Sequence, residues 1–312
     1  MVGRKVIIPR EIKKVYAAPY GAIILYTVAP DKLIKLDNSP GNQGGPGGPG
    51  GRQDKDKNKK IIAAAPDIIL TNTQIDMDND TVISAADRMQ SELGIPVIVI
   101  DNRLAELAKT YDFIGDLLPE KEQAKLLAAY CRETFSEIKT AVGKIPEAER
   151  VRVYYAEGPT GLATDPAGTR HTEVLDFVGA INVAQVPSKI GPGQTPISVK
   201  QVKDWDPDVI IANRGQPADS RNFRAYVLSN PEWEDIKAVK ERKVYDIPKQ
   251  MFNWFDRPPS ANRVIGVKWL ANLLYPDYVR MDIKSETKRF YKLFYRYDLT
   301  DQEIEDLLSN SE

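Results

Sequence analysis

The stretch from Lys121 to Lys144 constrains the fold more than any other part of the chain. Apolar side chains recur there at spacings of four, four, three and four: Leu127, Cys131, Phe135, Ile138 and Val142. Lysine, glutamate and arginine occupy the other faces, so the pattern predicts an amphipathic helix. At 1.5 Å per residue such a helix is roughly 36 Å long, about the diameter of a small domain.

Two similar segments flank this helix. Residues 59–70 read KKIIAAAPDIIL and residues 200–211 read KQVKDWDPDVII. Each predicts the end of a helix, a Pro-Asp turn and then a buried strand, because continuous apolar runs are typical of parallel strands that are covered on both faces. The chain therefore contains the same unit twice, with a long helix between the two copies.

The remaining elements alternate in the same way. Strands are predicted at residues 5–9, 14–17, 33–36, 66–70, 96–100, 150–155, 181–184, 209–212 and 243–247. Helices are predicted at residues 22–28, 80–93, 104–118, 171–178, 199–205, 222–228, 234–238, 260–274, 284–294 and 300–308. This alternation predicts an α/β fold with two lobes. We assign residues 1–120 to the N-terminal lobe, 121–144 to the connecting helix and 145–312 to the C-terminal lobe with its helical tail.

Composition narrows the function classes. The net charge is −1 and there is one cysteine, Cys131. The lack of a basic surplus argues against nucleic-acid binding, and one cysteine excludes an internal disulfide or a cysteine metal cluster. We interpret Cys131 as a small buried hydrophobe. No apolar run reaches the 18 or so residues of a membrane span, and Met1 leads straight towards a strand, so the sequence predicts a cytoplasmic protein or a mature form without its signal peptide.

Residues 37–60 differ from the rest of the chain. They are rich in glycine, proline and charge, and Gly45 to Gly50 matches the dinucleotide pattern GxGxxG only formally. Two prolines and the lack of a following amphipathic helix argue against nucleotide binding. The segment is interpreted as a flexible, low-complexity loop or linker, natural or engineered.

Four motifs, taken together, resemble a known family: GRKVIIP near the start, PDIIL at 66–70, HTEVLDFVGAINV at 171–183 and LTDQEIEDL at 299–307. They are similar to the iron-complex class of periplasmic substrate-binding proteins of ABC transporters. The resemblance implies two Rossmann-like lobes joined by a single long helix, with the ligand in a cleft between them. It also implies a monomer that is not an enzyme, lies in the periplasm or is anchored outside the cell, and touches the membrane only through the permease or a removed lipid anchor.

The resemblance implies a ligand and a partner as well. The ligand is a metal complex, namely a ferric siderophore, haem, a corrinoid or a nickel chelate, with no permanent cofactor. The partner is the permease of an ABC transporter, which acidic patches on the lobes are expected to meet. The low-complexity segment at 37–60 departs from the family pattern, so contacts made there by the N-terminal lobe are not carried over.

Candidate ligand residues follow from the expected chemistry, since large anionic ligands suit arginine and aromatic side chains. The loop at residues 251–259, MFNWFDRPP, follows a strand and precedes a helix. That position places it at the carboxyl end of the sheet, where open α/β folds bind ligands. We predict ligand contacts from Trp254 and Arg257 and leave Phe255 undecided. The alternative is that Trp254 and Phe255 pack the helix against the sheet.

Other candidates lie at the ends of predicted strands. Arg214 follows the second Pro-Asp strand, Tyr20 precedes the first helix and Tyr155 ends the first strand of the second lobe. Each has a plain alternative as a solvated or packed side chain.

The only histidine is His171, and Arg170 precedes it. One histidine cannot build a protein-only site of the usual kind, but it is a candidate axial ligand for a metal that a chelator already holds. The preferred alternative is that His171 caps the helix that starts there. Two other function classes stay open at this point, a two-lobed α/β enzyme and an interaction module without a small ligand.

Overall fold

The computed structural model describes residues 1–34, 55–73, 78–187, 194–213, 223–256 and 258–312. The chain forms two compact units. Unit 1 comprises Met1–Arg132 and Leu293–Tyr295, and unit 2 comprises Glu133–Lys292 and Arg296–Glu312. The division between them falls inside the long helix, whereas the sequence prediction treated that helix as a separate element.

Unit 1 is built on a parallel sheet of three strands in the order β1-β2-β3. Its strands are β1 (Val15–Ala17), β2 (Ile68–Asn72) and β3 (Val97–Ile100). Its helices are α1 (Pro19–Val28), α2 (Lys55–Ala64), α3 (Asn79–Leu93) and α4 (Leu107–Leu117). All of β3 and the first three residues of β2 are apolar and buried, as expected for strands that are covered on both faces.

Unit 2 contains a sheet of six strands in the order β7-β5-β4-β8-β9, with β6 beside β4. The strands are β4 (Arg152–Glu157), β5 (Ala163–Thr164), β6 (Ile181–Asn182), β7 (Thr195–Pro196), β8 (Val209–Asn213) and β9 (Val244–Asp246). The central strands β4, β8 and β9 are parallel, and β5 runs antiparallel to β4. A separate hairpin consists of β10 (Lys249–Gln250) and β11 (Phe252–Asn253).

The helices of unit 2 include short ones between the strands and longer ones in the tail. The short ones are α6 (Glu173–Phe177), α7 (Val199–Trp205), α8 (Phe223–Ser229) and α9 (Lys237–Lys240). The tail contains α10 (Arg263–Leu274), α11 (Ile283–Tyr295) and α12 (Asp301–Leu308). The predicted capping box at Thr300 and Glu303 opens α12. Among the described residues, no helix is both long enough and apolar enough to span a membrane.

The long helix predicted from the sequence is α5 (Lys121–Val142). Its five stripe residues are all buried: Leu127, Cys131, Phe135, Ile138 and Val142. Burial raises the pKa of the Cys131 thiol, which agrees with its interpretation as a small hydrophobe rather than a nucleophile. The α/β class and the long helix are therefore confirmed.

Some predicted elements differ from those observed. Residues 5–9 form no strand, and Ile7 is 94% exposed. The apolar run there pairs with no strand among the described residues, although β3 lies at an edge of the sheet. Only Leu33 of the predicted strand at 33–36 makes a bridge, to Val15, and residues 35–36 lie outside the described residues. The low-complexity segment lies outside them up to residue 54. Residues 55–60 were predicted to belong to this flexible segment, but they form the start of α2 instead.

The repeated Pro-Asp pair has the same structural role in both units. The Asp67 carboxylate accepts hydrogen bonds from the backbone N–H groups of Lys13 and Lys14, at 2.7 and 2.8 Å. The Asp208 carboxylate accepts one from the N–H of Arg152 at 2.9 Å. In each case the aspartate directly precedes one parallel strand, and its carboxylate bonds to the backbone at the start of the neighbouring strand. The sequence repeat therefore marks the point in each sheet where two parallel strands begin to pair.

These contacts lower the pKa of both carboxyl groups. Hydrogen bonds from the backbone of Lys14, and then of Lys13, outweigh burial and lower the pKa of Asp67. Burial acts to raise the pKa of Asp208, but hydrogen bonds from Lys237 and from the backbone of Arg152 outweigh it and leave that pKa lowered. A carboxylate with a lowered folded-state pKa stabilises the fold above its unfolded value of about 3.9, and that contribution is lost as the pH falls through the folded value.

We therefore expect the double variant Asp67→Asn, Asp208→Asn to melt about 2–4 °C below the wild type at pH 7. The difference should narrow as the pH falls below about 3.9 and through the folded-state pKa values, because the wild-type carboxylates are then progressively protonated. Thermal unfolding by circular dichroism at pH 7, 5 and 3 measures it. Asp204→Asn is the matched control, since its carboxylate is exposed and pairs with the exposed side chain of Lys200. A difference that does not change with pH would contradict the prediction.

Candidate functional site

The candidate site lies in unit 2, around the carboxyl ends of the parallel strands. Glu157 ends β4, Asn213 ends β8 and Asp246 ends β9, and all three are buried. Open α/β sheets bind ligands at this edge, because the strand ends open into loops there. Buried polar side chains at the ends of three adjacent strands mark this edge as more than a packed core.

A chain of amides connects this edge to the loop after β11. Asn213 donates to the Tyr155 hydroxyl at 3.0 Å, and Asn253 donates to the Asn213 side-chain oxygen at 3.1 Å. The other end of Asn253 accepts from the backbone N–H groups of Phe255 and Asp256, at 2.7 and 3.1 Å. Because Asn253 is buried and uses both ends of its amide, it fixes the backbone that carries Asp256.

Asp256 pairs with the only histidine. Its Oδ2 contacts Nδ1 of His171, and Nε2 of His171 accepts from Nε of Arg170 at 3.1 Å. A guanidinium only donates, so Nε2 carries the lone pair and Nδ1–H donates to Asp256. Asp256 Oδ1 is buried and has no hydrogen-bond partner within the described chain.

Asp165 completes the cluster. The ligand atoms of Asp165, His171 and Asp256 lie within 4.8 Å of one another. Asp165 and Asp256 are 3% and 1% exposed, and the His171 side chain is 12% exposed. We name these three residues the Asp-His-Asp cluster. An imidazole whose Nδ1–H is held by a carboxylate is an oriented and more basic metal ligand through Nε2.

The segment that carries the cluster is fixed on both sides. Asn182 donates to the Asp165 carbonyl at 3.1 Å, and the N–H of Ala167 donates to the Ala184 carbonyl at 3.1 Å. At the other end, the guanidinium of Arg263, which is buried at the start of α10, pairs with Glu173. The segment from Asp165 to Glu173 is thus anchored before and after His171.

The structure places the predicted site residues in several different surroundings. Arg170 and His171 lie at the Asp-His-Asp cluster. Tyr155 and Phe255 are buried and pack against each other, with ring centroids 4.8 Å apart. Tyr20 is half-buried, at the second position of α1 in unit 1. Two further predicted residues, Arg214 and Arg257, lie outside the described residues.

The sequence interpretation is wrong for Trp254. Its side chain is fully buried, its indole N–H donates to the Tyr291 hydroxyl at 3.0 Å, and its ring packs edge-on against Trp269. It joins α10 and α11 to the preceding loop and offers no surface to a ligand. The alternative interpretation, that it packs the helix against the sheet, is the one the structure supports.

The preferred alternative for His171 is wrong as well. The short 3-10 helix Arg170–Thr172 is preceded by Thr169 and α6 is preceded by Thr172, and neither position has a side-chain cap. His171 therefore caps nothing, and its ring is used for the contact with Asp256.

Sequence reasoning missed Asp165, Asp256 and Asn253. Asp256 lies inside the loop that was singled out for its aromatic and arginine residues, so a search for carboxylates near the only histidine would have considered it. Asp165 precedes Pro166 in the loop that leads to His171, but nothing in its local pattern separates it from the other acidic residues of the chain.

Comparison with known proteins assigns the chain to a family. The family model described as periplasmic binding protein matches residues 36–251 of the 312. The chain belongs to the periplasmic binding protein family. This membership confirms the resemblance that the sequence motifs carry and a role in binding solutes rather than in catalysis. It also places the chain outside the cytoplasm.

The relatives include binding proteins of ABC transporters. The molybdate-binding protein MolA of Haemophilus influenzae is 24% identical over 260 residues, which span 76% of this chain and 69% of MolA. The solved structure of an ABC transporter solute binding protein from Sulfurospirillum deleyianum is 28% identical, with a TM-score of 0.84 over 99% of this chain and 98% of that one.

The structure of MolA bound to molybdate shares the fold, with a TM-score of 0.69 over 96% of this periplasmic binding protein and 97% of MolA, at 22% identity. At this identity the likeness concerns the fold alone. The choice of ligand has to be argued from the residues of this chain.

Proposed function

We propose that this periplasmic binding protein captures a metal complex and delivers it to the permease of an ABC transporter. The observation that carries the proposal is the Asp-His-Asp cluster at the carboxyl edge of the unit 2 sheet. It offers the Nε2 of an imidazole that Asp256 orients through Nδ1–H, together with the Asp165 carboxylate, in a buried setting. Charged side chains are seldom buried unless they are paired or bind a ligand.

The cluster suits a metal that a chelator already holds better than a bare ion. One imidazole nitrogen and the Asp165 carboxylate leave several coordination positions of iron or nickel unfilled, and an organic chelator supplies the others. In this proposal His171 adds one bond through Nε2, as in axial ligation, and Arg170 moves from Nε2 to an acidic group of the complex. The complex is the transported solute, and no resident cofactor is required.

Three other predicted residues keep their proposed roles as ligand contacts. Tyr20 belongs to unit 1, and Arg214 and Arg257 follow β8 and β11 in the sequence. Arginines at these loops would neutralise the carboxylates or catecholates that most iron chelators carry. We also propose a monomer that needs no nucleic acid and meets the membrane through the permease or through a lipid anchor.

A second candidate ligand is a tetrahedral oxyanion such as molybdate. The relative MolA is named for molybdate, Arg170 contacts His171 of the cluster, and Arg263 pairs with Glu173 two residues further along the chain. Against it, Asp165 and Asp256 would repel a dianion, and burial strengthens that repulsion. The metal complex is therefore the first choice.

A binding panel separates the candidates. The protein as purified is examined by native mass spectrometry and absorbance, and then by tryptophan fluorescence against ferric siderophores, haem, cobalamin, a nickel chelate, aqueous Ni²⁺ and molybdate. We expect one of the organic metal complexes to bind with a dissociation constant at or below the micromolar range. Binding of molybdate alone would support the second candidate, and no binding by any probe would favour an interaction module without a small ligand.

A further inference from the structure

Met251 is held in a conformation that its residue type disfavours. The hairpin of β10 and β11 reverses through this one residue, since Gln250 pairs with Phe252. Its φ is +60°, in the left-handed region that favours glycine. Its side chain is nevertheless a large apolar one and is 50% exposed. Glycine would suit the turn and would remove the exposed apolar surface, so the backbone alone does not explain a methionine here.

Buried side chains hold this turn from below. Asn262, which is fully buried, donates its amide hydrogens to the carbonyls of Gln250 and Phe252 at 3.2 and 2.8 Å. The Tyr291 hydroxyl also donates to the Gln250 carbonyl, at 2.8 Å. The carbonyls on both sides of Met251 are therefore fixed, and the turn cannot relax without leaving buried donors unpaired.

The turn is anchored to the same elements as the Asp-His-Asp cluster. Asn262 and Arg263 are neighbours at the start of α10: the first holds the hairpin and the second pairs with Glu173, two residues after His171. The hairpin also follows the carboxyl end of β9, and its last residue, Asn253, positions Asp256. The hairpin that exposes Met251 is thus anchored by the same elements that anchor the candidate site.

We infer that Met251 contacts the organic part of the captured metal complex and contributes to its selection. The inference rests on the proposed function. A thioether is apolar and polarisable and packs well against aromatic rings, so it suits a catecholate, porphyrin or corrin surface. It gives a molybdate ion or a hydrated metal ion nothing to bind. In this inference, the strained backbone at the turn serves to expose the Met251 side chain to the ligand.

Two substitutions of Met251 distinguish a contact with the ligand from an effect on the stability of the fold. Met251→Gly should raise the melting temperature by about 2 °C, because the strain is relieved. The same change should weaken binding of the organic complex that the wild type takes from the panel by about five- to tenfold. Met251→Leu should stay within about twofold of the wild type, since it keeps the apolar bulk.

Arg242→Gly is the matched control. Arg242 also has a positive φ, of 59°, and is exposed, but it precedes β9 at the amino end of the strand. The Arg242→Gly variant should gain stability in the same way, and its affinity for the organic complex should equal that of the wild type. Wild-type affinity in Met251→Gly would overturn the inference and leave the proposed function intact. If the wild type binds none of the organic complexes, the proposed function itself fails.

Oxidation gives a readout that does not depend on a variant. Brief treatment with hydrogen peroxide, followed by peptide mass spectrometry, should oxidise Met251 and Met1, which are 50% and 39% exposed. Saturation with the bound complex should slow oxidation of Met251 by about fivefold or more and leave Met1, which lies in unit 1, unchanged. Equal rates at Met251 with and without the complex would overturn the inference.

Discussion

Replacing His171 with asparagine is expected to weaken binding of the metal complex by about 100-fold while the protein stays folded. Removal of a residue that hydrogen-bonds to a metal-ligating side chain usually lowers the affinity for the metal by about 10- to 100-fold. Removal of the ligating side chain itself should therefore reach at least the upper end of this range. Asparagine is chosen because its amide nitrogen can replace Nδ1 as the donor to Asp256. It offers no lone pair where Nε2 lies.

The choice of variant matters because Asp256 is buried. His171→Ala would leave that carboxylate without its partner, and an unpaired buried charge destabilises a fold by about 3–5 kcal/mol. A loss of binding in the alanine variant would therefore have two explanations. His171→Asn keeps the hydrogen bond and should melt within about 3 °C of the wild type.

The measurement is a titration of each variant by tryptophan fluorescence with the complex found in the panel, together with its absorbance spectrum. If His171 ligates iron or cobalt, the absorbance bands of the bound complex should also change in the variant. Full affinity and an unchanged spectrum in His171→Asn would remove the Asp-His-Asp cluster from the ligand site.

Replacing Gly266 with alanine is expected to destabilise unit 2 by about 3 kcal/mol. Gly266 lies inside α10 where the helix crosses the backbone of Trp254. An added Cβ would overlap the Trp254 carbonyl oxygen and lie 2.9 Å from its carbonyl carbon. The obstacle is backbone that is itself held by the buried Trp254 side chain, so it cannot move aside as the end of a flexible side chain would.

The sign of this effect is diagnostic. Alanine is favoured over glycine in a helix by about 1 kcal/mol, so helix propensity alone predicts that Gly266→Ala stabilises the protein. The steric argument predicts the opposite, a melting temperature lower by about 6–12 °C. Gly21→Ala in α1 is the control, because its new Cβ would come no closer than 3.5 Å to any neighbour.

Thermal unfolding of both variants by circular dichroism and by tryptophan fluorescence tests the prediction. Trp254, Trp269 and Trp233 all belong to unit 2 and are buried, so the fluorescence transition reports on that unit. A stabilised Gly266→Ala protein would show that α10 does not approach the Trp254 backbone as described.

Local sequence pattern was enough to predict most of the helices and strands. The apolar period of α5, the alternation of strands and helices and the Pro-Asp turns all depend on residues close in sequence, and each was confirmed in the fold. Even the capping box of α12 can be read from four consecutive residues. The short apolar run at 5–9 shows the limit of this approach, because β propensity alone does not decide whether a segment pairs with a strand that is distant in sequence.

The candidate site was only partly predictable. Arg170, His171 and the loop after β11 were selected from the sequence, but the aromatic residue with the strongest expectation, Trp254, lies in the core. A buried indole and a ligand-binding indole look the same in sequence. What separates them is whether another helix covers the loop, which α10 does through the small residue Gly266.

The sequence by itself determined the class of fold, the long helix and the repeated strand start, because period and turn chemistry act over a few residues. Only the tertiary structure decided that Asp256 meets His171 across 85 residues, and that Asp165 joins them. These three residues meet because of the order of the strands in the sheet and because two loops are anchored to the start of α10. No local pattern encodes a distance between segments so far apart along the chain.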